Sequence, residues 1–336
     1  YLPCERPDAS FSASYYGGEA EDWDTFSHRG ISLREGNDAA LDQMSALCQQ
    51  AAYSDAAYQQ LQGNHPDGSR NPDYPCLLDV TNYIDYLVLN YCVNNEDWPW
   101  NNYWFARKRS ASSTGFKFYS WDSEISLYLP PRAHMELNRT RDYRNVGQFH
   151  GHLAQNDEYR LFFADRVHHH LFHNGILTPD AMGRLYADIA SQVEMPVICE
   201  SARWGDMHHS TPLDQDDWYE ARDWLLGNFF QQRHAIVLQQ LKNAGLYPDV
   251  ETPTFYVNEV YQHGGHVDQP ARLALASPSG AIYYTLDGSD PRRMETTSAP
   301  GLTTQLVTES AAKKVLVPTG AMSDDWKDKR IFDATA

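Results

Sequence analysis

Leu78-Asp-Val-Thr-Asn-Tyr-Ile-Asp-Tyr-Leu-Val-Leu-Asn90 leads through Tyr91-Cys-Val93 into Asn94-Asn-Glu-Asp-Trp-Pro-Trp-Asn-Asn102. Val80, Ile84, Leu87, Val88 and Tyr91 recur at helical spacing, so a core-facing helix starts near Asp79. Its apolar stripe stops where the polar run begins. Two runs of strand character follow, about 102–109 and 116–121, joined by Ser110-Ala-Ser-Ser-Thr-Gly115. That pattern predicts a hairpin with a flexible turn. A hairpin returns the chain to its start, so Trp121-Asp-Ser-Glu124 is expected beside Asn102. Asp97, Asn102 and Asp122 then share one edge of a small sheet. Oxygen ligands of this hard kind suit Mg²⁺ or Mn²⁺ and leave positions for phosphate oxygens.

Outward from this centre, the chain to about Asp249 reads as mostly helical. Asn37 and Asp38 can cap a helix running to about Gln62, with Leu41, Met44, Leu47 and Cys48 on one face. The loop 63–75 holds Gly, Asn, Asp and two Pro and breaks the pattern. Helix returns from Glu158, pauses at Asn174-Gly175, and restarts after Thr178-Pro179. A last helix covers about 215–244 and stops at Gly245. From 252 to about 317 the helical period gives way to short alternating runs, Arg272–Ala276, Ala281–Leu286 and Lys313–Val317. They predict a small antiparallel β-sandwich over 254–317, after a domain spanning 1–249 and before a polar stretch 318–336. The predicted fold class is α+β.

Composition removes several functions. The 336 residues carry 45 Asp and Glu against 27 Lys and Arg, a net charge of −18, which repels a nucleic-acid backbone. No apolar run approaches the roughly 18 residues that span a bilayer. Only 7 of the basic residues are lysines and the first is Lys108, so no mechanism can use a lysine before that point. Five scattered cysteines without a CxxC pair argue against a cysteine zinc site; they read either as buried thiols or as one or two disulfides of an exported protein. His168, His169, His170 and His173, on a continued helix, point in three directions, with only His169 and His173 sharing a face. They read as surface or packed histidines. His263, His266 and Asp268 form a looser group.

An Asp followed five residues later by an Asn, then a hairpin and a second Asp, follows the logic of a protein-kinase catalytic loop. There the first Asp positions or deprotonates the acceptor hydroxyl, and the Asn and second Asp hold metal ions on the nucleotide phosphates. His-Arg does not precede Asp97, so the ordinary eukaryotic signature is missing. By pattern alone, the favoured reading of 94–102 is a polar helix-to-strand loop.

The same stretches resemble the CotH kinase family, the spore-coat-protein-H-like atypical kinases. Its pattern is a helix ending in Asn, then N-x-D, Asn-Asn before a strand, and W-D-x-D. Here these are Asn90, Asn95-Glu-Asp97, Asn101-Asn102 and Trp121-Asp-Ser-Glu124, the last with Glu in place of the final Asp. The later stretches 162–171, Arg203-Trp204 and 224–233 also look like that family, so the resemblance covers about 1–248. It implies a kinase-like C-lobe, ATP with Mg or Mn, and phosphoryl transfer to Ser or Thr of a protein substrate. Asp97 is then the catalytic candidate, Asn102, Asp122 and Glu124 the metal candidates, and Glu5 a candidate contact to the nucleotide where such proteins join two lobes. The family's upstream strands, with their phosphate-pairing basic residue, are expected to precede Tyr1, so that the chain reads as a piece of something longer and binds nucleotide poorly alone. Ile282-Tyr-Tyr-Thr-Leu-Asp-Gly-Ser-Asp-Pro291 resembles the C-terminal β-sandwich type of chitobiase and β-hexosaminidase, modules that accompany extracellular bacterial enzymes. Its Asp287 and Asp290 read as turn residues. Both resemblances imply a secreted or cell-surface bacterial protein. The alternative is a non-catalytic surface or adhesion protein that keeps the kinase-like fold as a scaffold.

Overall fold

A computed structural model describes residues 5–28, 30–127, 134–207, 210–267, 270–286 and 291. The expected strand at 313–317, the segment 318–336, Asp268, Asp287 and Asp290 lie outside the described residues. The chain divides into Tyr1–Gly280 and Ala281–Ala336.

Helix α1 (Ala9–Tyr16) is capped by Asp8, whose carboxylate accepts the Phe11 N–H at 3.1 Å. Strands β1 (Trp23–Ser27) and β2 (Ser32–Glu35) form a hairpin, and α2 (Ala39–Ala51) follows. The sequence predicts one helix from 37 to 62. Instead the chain breaks at 52–54, because Ser54 turns extended and its hydroxyl caps α3 (Asp55–Leu61) by accepting the Ala57 N–H at 3.2 Å.

Helix α4 (Val80–Cys92) starts at the expected Asp79, which accepts the Asn82 N–H at 3.0 Å. Tyr83, Ile84, Leu87, Val88 and Tyr91 are all buried in the main core. Strands β3 (Tyr103–Lys108) and β4 (Lys117–Ser120) make the predicted hairpin. That hairpin is not alone: the sheet has four strands in the order β2-β1-β3-β4, all antiparallel. Phe26, Phe105 and Phe118 face the helical core, while Trp23, Trp104 and Tyr119 form a second cluster with Ala9 of α1. β1 is buried along its whole length, so it shows no alternation in sequence. The edge strand β4 is closed by Asn82, whose side chain accepts the Phe118 N–H at 2.6 Å and donates to the Phe118 carbonyl at 3.3 Å.

Then come α5 (Gly147–Leu153), α6 (Asp157–Leu171), α7 (Pro179–Trp204), α8 (Gln215–Trp224) and, after a π turn at Leu225–Phe229, α9 (Phe230–Asn243). Arg166 of α6 clasps Asp85 of α4 with two bonds of 2.7 Å. Because α6 ends at Leu171, His173 is not on the helix, and the expected pairing with His169 does not form. A three-stranded sheet of β5 (Thr254–Val257), β6 (Val260–Tyr261) and β7 (Leu273–Ala276) follows in the order β6-β5-β7. The architecture is α+β and mainly helical, as the sequence predicts. Among the described residues Cys48, Cys76, Cys92 and Cys199 are free thiols, the first and third of them in the core. No helix among these residues is long and apolar enough to cross a membrane.

His150 of α5 sits in this core. Its N–H donates to the Tyr83 hydroxyl at 3.0 Å and its Nδ1 bonds the Tyr159 hydroxyl at 2.9 Å. Burial lowers its pKa from 6.5 to about 4. Between those values the unfolded chain binds the proton and the native chain does not. Stability is therefore full above about pH 6.5 and falls as pH drops toward 4, by about 3 kcal/mol in all. Urea midpoints followed across this window should fall, and His150→Gln should flatten the fall. An equally steep curve in the variant would assign the acid sensitivity to other groups.

Candidate active site at the helix–hairpin junction

The end of α4 builds the first wall. Asn94 has a φ of +57°, its N–H donates to the Tyr91 carbonyl at 3.4 Å, and the Asn95 N–H donates to the Asn90 carbonyl at 3.2 Å. These two bonds, six-to-one and five-to-two, are the Schellman closure of a helix, with Asn in place of the usual Gly at the left-handed position. The Asn95 side chain then donates to the Asn90 side chain at 2.9 Å. The polar run that marks the helix end in sequence is thus the set of groups that ends it.

Asp97 follows, presented beside a buried anchor. Trp98 is fully buried, its indole N–H donates to the Tyr86 hydroxyl at 2.8 Å, and its ring packs edge-on against Tyr86 and Tyr91. The Asp97 Oδ2 accepts the side-chain amides of Asn102 at 2.9 Å and Asn101 at 3.2 Å. The Asn102 amide nitrogen also donates to the Asp122 backbone carbonyl at 2.8 Å. One amide therefore joins the loop before β3 to the chain leaving β4. Its Oδ1 remains as the atom a cation would take.

Asn102 and Asp122 both adopt left-handed backbone, with φ of +53° and +50°. Asn and Asp tolerate this better than other side-chain residues, but clustering of such positions marks constrained sites. The chain after Asp122 is pinned back onto the first wall, because the Glu96 N–H donates to the Ile125 carbonyl at 2.9 Å and the Leu127 N–H to the Val93 carbonyl at 3.1 Å. Glu124 is exposed beside Asp122. Partial desolvation, then the neighbouring carboxylates of Asp122 and Asp97, raise its pKa above the ordinary carboxylate value. Asn102 thus joins the Asp97 carboxylate to the Asp122 backbone, and the Asp122 and Asp97 carboxylates are near enough to act on Glu124.

A family model described as CotH kinase protein matches residues 1–237. The chain belongs to the CotH kinase family. Membership in a kinase family implies ATP and a divalent metal in general, and a protein substrate. Comparisons with curated proteins and with solved structures returned no match. The CotH match spans α1 through most of α9, so the helix–hairpin junction lies well inside it.

Glu5 is placed differently from the other four. It is exposed and accepts the Tyr15 hydroxyl at 2.6 Å, a bond within the α1 region. Its neighbour Arg6 lies over the Trp104 ring at 5.1 Å, and Trp104 meets Trp121 edge-on at 6.2 Å. The residue next to Glu5 thus reaches the aromatic shelf beside Asp122.

Sequence reasoning did not find Asn101 as a second donor to Asp97. It also missed Arg233, a buried guanidinium behind the site. Arg233 Nε and Nη2 donate to the Tyr91 carbonyl at 3.1 and 2.7 Å, Nη2 donates to Leu137 at 3.0 Å, and Nη1 donates to Met135. Nothing local announces it, since Tyr91 is 142 residues away.

Proposed function

We propose that this chain carries the phosphoryl-transfer site of an atypical protein kinase, moving the ATP γ-phosphoryl group to a Ser or Thr hydroxyl of a protein with Mg²⁺ or Mn²⁺. The observation that supports it is the Asn102 amide joining the Asp97 carboxylate to the Asp122 backbone, with Glu124 beside them. The donor set fits a hard divalent ion. It offers only oxygens, and Glu124, whose pKa is raised by desolvation and then by the Asp122 and Asp97 carboxylates, adds a further acidic group beside them. Asn102 Oδ1, Asp122 and Glu124 would hold it. Once bound, such an ion supplies positive charge against the phosphate oxygens.

The remaining steps fall to the chain itself. Asp97, held by two amides, orients the acceptor hydroxyl and takes its proton as that oxygen bonds to the γ-phosphorus. The bond from γ-phosphorus to the bridging oxygen breaks, and its electron pair leaves with ADP. The same reading makes 254–317 a β-sandwich spacer and the protein an exported one, on the strength of the 282–291 motif.

Transfer from labelled ATP by the full-length protein, with Mg²⁺ or Mn²⁺, tests it. Asp122→Asn and Asn102→Ala should each lower transfer by roughly 10²-fold or more. Glu124→Asp, which restores the family's residue, should retain it. Undiminished transfer in Asp122→Asn would discard this metal assignment.

A further inference from the structure

A second cluster lies at the C-terminal end of α6. His168 of α6, His173 in the loop beyond it and His263 after β6 each bring a ring nitrogen within 4.8 Å of the others. We propose that these three histidines bind a Zn²⁺ ion, which staples the β5–β7 sheet to the end of α6.

The geometry is that of ligands already turned to one point. His168 Nδ1 bonds the Tyr247 hydroxyl at 3.0 Å, and His173 Nδ1 bonds the Tyr261 hydroxyl at 2.8 Å. With both Nδ1 atoms taken, both Nε2 atoms are left to face each other, and they lie 3.2 Å apart. Two imidazole nitrogens on a tetrahedral zinc, at about 2.05 Å each, are separated by about 3.3 Å. The two tyrosines complete the arrangement seen around metal-bound histidine, where the second ring nitrogen is protonated and donates to an oxygen that fixes the ring.

The backbone serves the same end. α6 stops at Leu171, and His173 turns left-handed with a φ of +55°. That turn folds its ring back toward His168 instead of letting it continue around the helix. The third ring comes from the sheet. His263 stacks on His173, with centroids 3.6 Å apart and planes at 13°. It reaches the ion by rotating out of that stack, a motion its exposure permits. Three nitrogen ligands leave a fourth position for water. Imidazole is a borderline ligand, so Cu²⁺ and Ni²⁺ would bind too, while Mg²⁺ would not.

The test uses the full chain stripped of metal, in excess Mg²⁺ so that the carboxylate cluster does not compete. Zn²⁺ is titrated against a chromophoric chelator, and thermal melts are recorded with and without it. One equivalent should bind, and the melting temperature should rise. His173→Asn keeps a residue that tolerates the left-handed backbone, and His263→Gln changes an exposed ring, so both should fold. Each should weaken binding at least about tenfold and remove the thermal shift, and Tyr261→Phe should weaken it by roughly tenfold through the lost orienting bond. Equal affinity in wild type and in both histidine variants would overturn the proposal, because the zinc would then sit on other histidines. So would a wild-type melt that zinc leaves unchanged, since His168 and His173 would then share only an N–H···N bond.

Discussion

Asp97→Asn is expected to lower phosphoryl transfer by roughly 10²–10⁴-fold, the range for loss of a positioned general base, while leaving nucleotide binding nearly unchanged. The reason lies in how Asp97 is held. Its Oδ2 accepts from Asn101 and Asn102, and its neighbour Trp98 is locked in the core, so the group is positioned from both sides. It is assigned to the acceptor hydroxyl and not to the phosphates. Single-turnover transfer should therefore collapse while the ATP dissociation constant holds. Asp122→Asn should act the other way round, weakening the metal–nucleotide complex as well as the rate. If Asp97→Asn instead raised the ATP dissociation constant as strongly as Asp122→Asn, the two roles would have to be exchanged. If transfer survived undiminished in Asp97→Asn, another group would have to serve as the base, whereas no transfer by the wild type would replace the enzymatic reading with the scaffold one.

Arg233→Met should cost about 3–5 kcal/mol of stability and lower the melting temperature by roughly 10 °C. Arg233 is 1% exposed, and burial lowers its pKa to about 10. Its bonds go to the carbonyls of Tyr91, Met135 and Leu137. The Tyr91 carbonyl belongs to the last turn of α4, where helix carbonyls lack partners and the helix dipole favours a positive charge. Methionine fills a similar length but removes the charged donor from all three carbonyls, leaving Tyr91 with the Asn94 N–H and Leu137 with the Gln240 amide. Arg233→Lys should recover only part of the loss, since an ammonium lacks the planar fork that meets three carbonyls at once. Because Tyr91 leads directly into the Schellman turn before Asp97, transfer should fall together with stability. A melting temperature within about 2 °C of wild type in Arg233→Met would mean that the clamp is not needed.

The helix–hairpin centre was legible because each of its signals is local. The stripe from Val80 to Tyr91 places α4, the run 94–102 ends it, and the turn 110–115 folds β4 back along β3. Return of the hairpin then puts Asp122 near Asn102 by chain geometry alone. The second hairpin, β1 with β2, left no such trace. All of β1 is buried, so it lacks the alternation of a half-exposed strand, and its pairing with β3 joins residues about eighty positions apart. The shared face expected for His169 and His173 failed for a related cause. An i, i+4 argument holds only while the helix continues, and α6 stops before His173.

The sequence by itself determined the α+β class, the position of α4 and its hairpin, and the return of the chain that puts Asp122 beside Asn102. Those follow from side-chain period and from turn chemistry, which act over a few residues. Only the tertiary structure decided that the hairpin is half of a four-stranded sheet, that Arg233 closes the end of α4, and that His263 meets His168 and His173. Each of these joins groups far apart along the chain. Such contacts depend on loop closure and on how whole faces pack, and a local pattern carries no record of which distant face will be met.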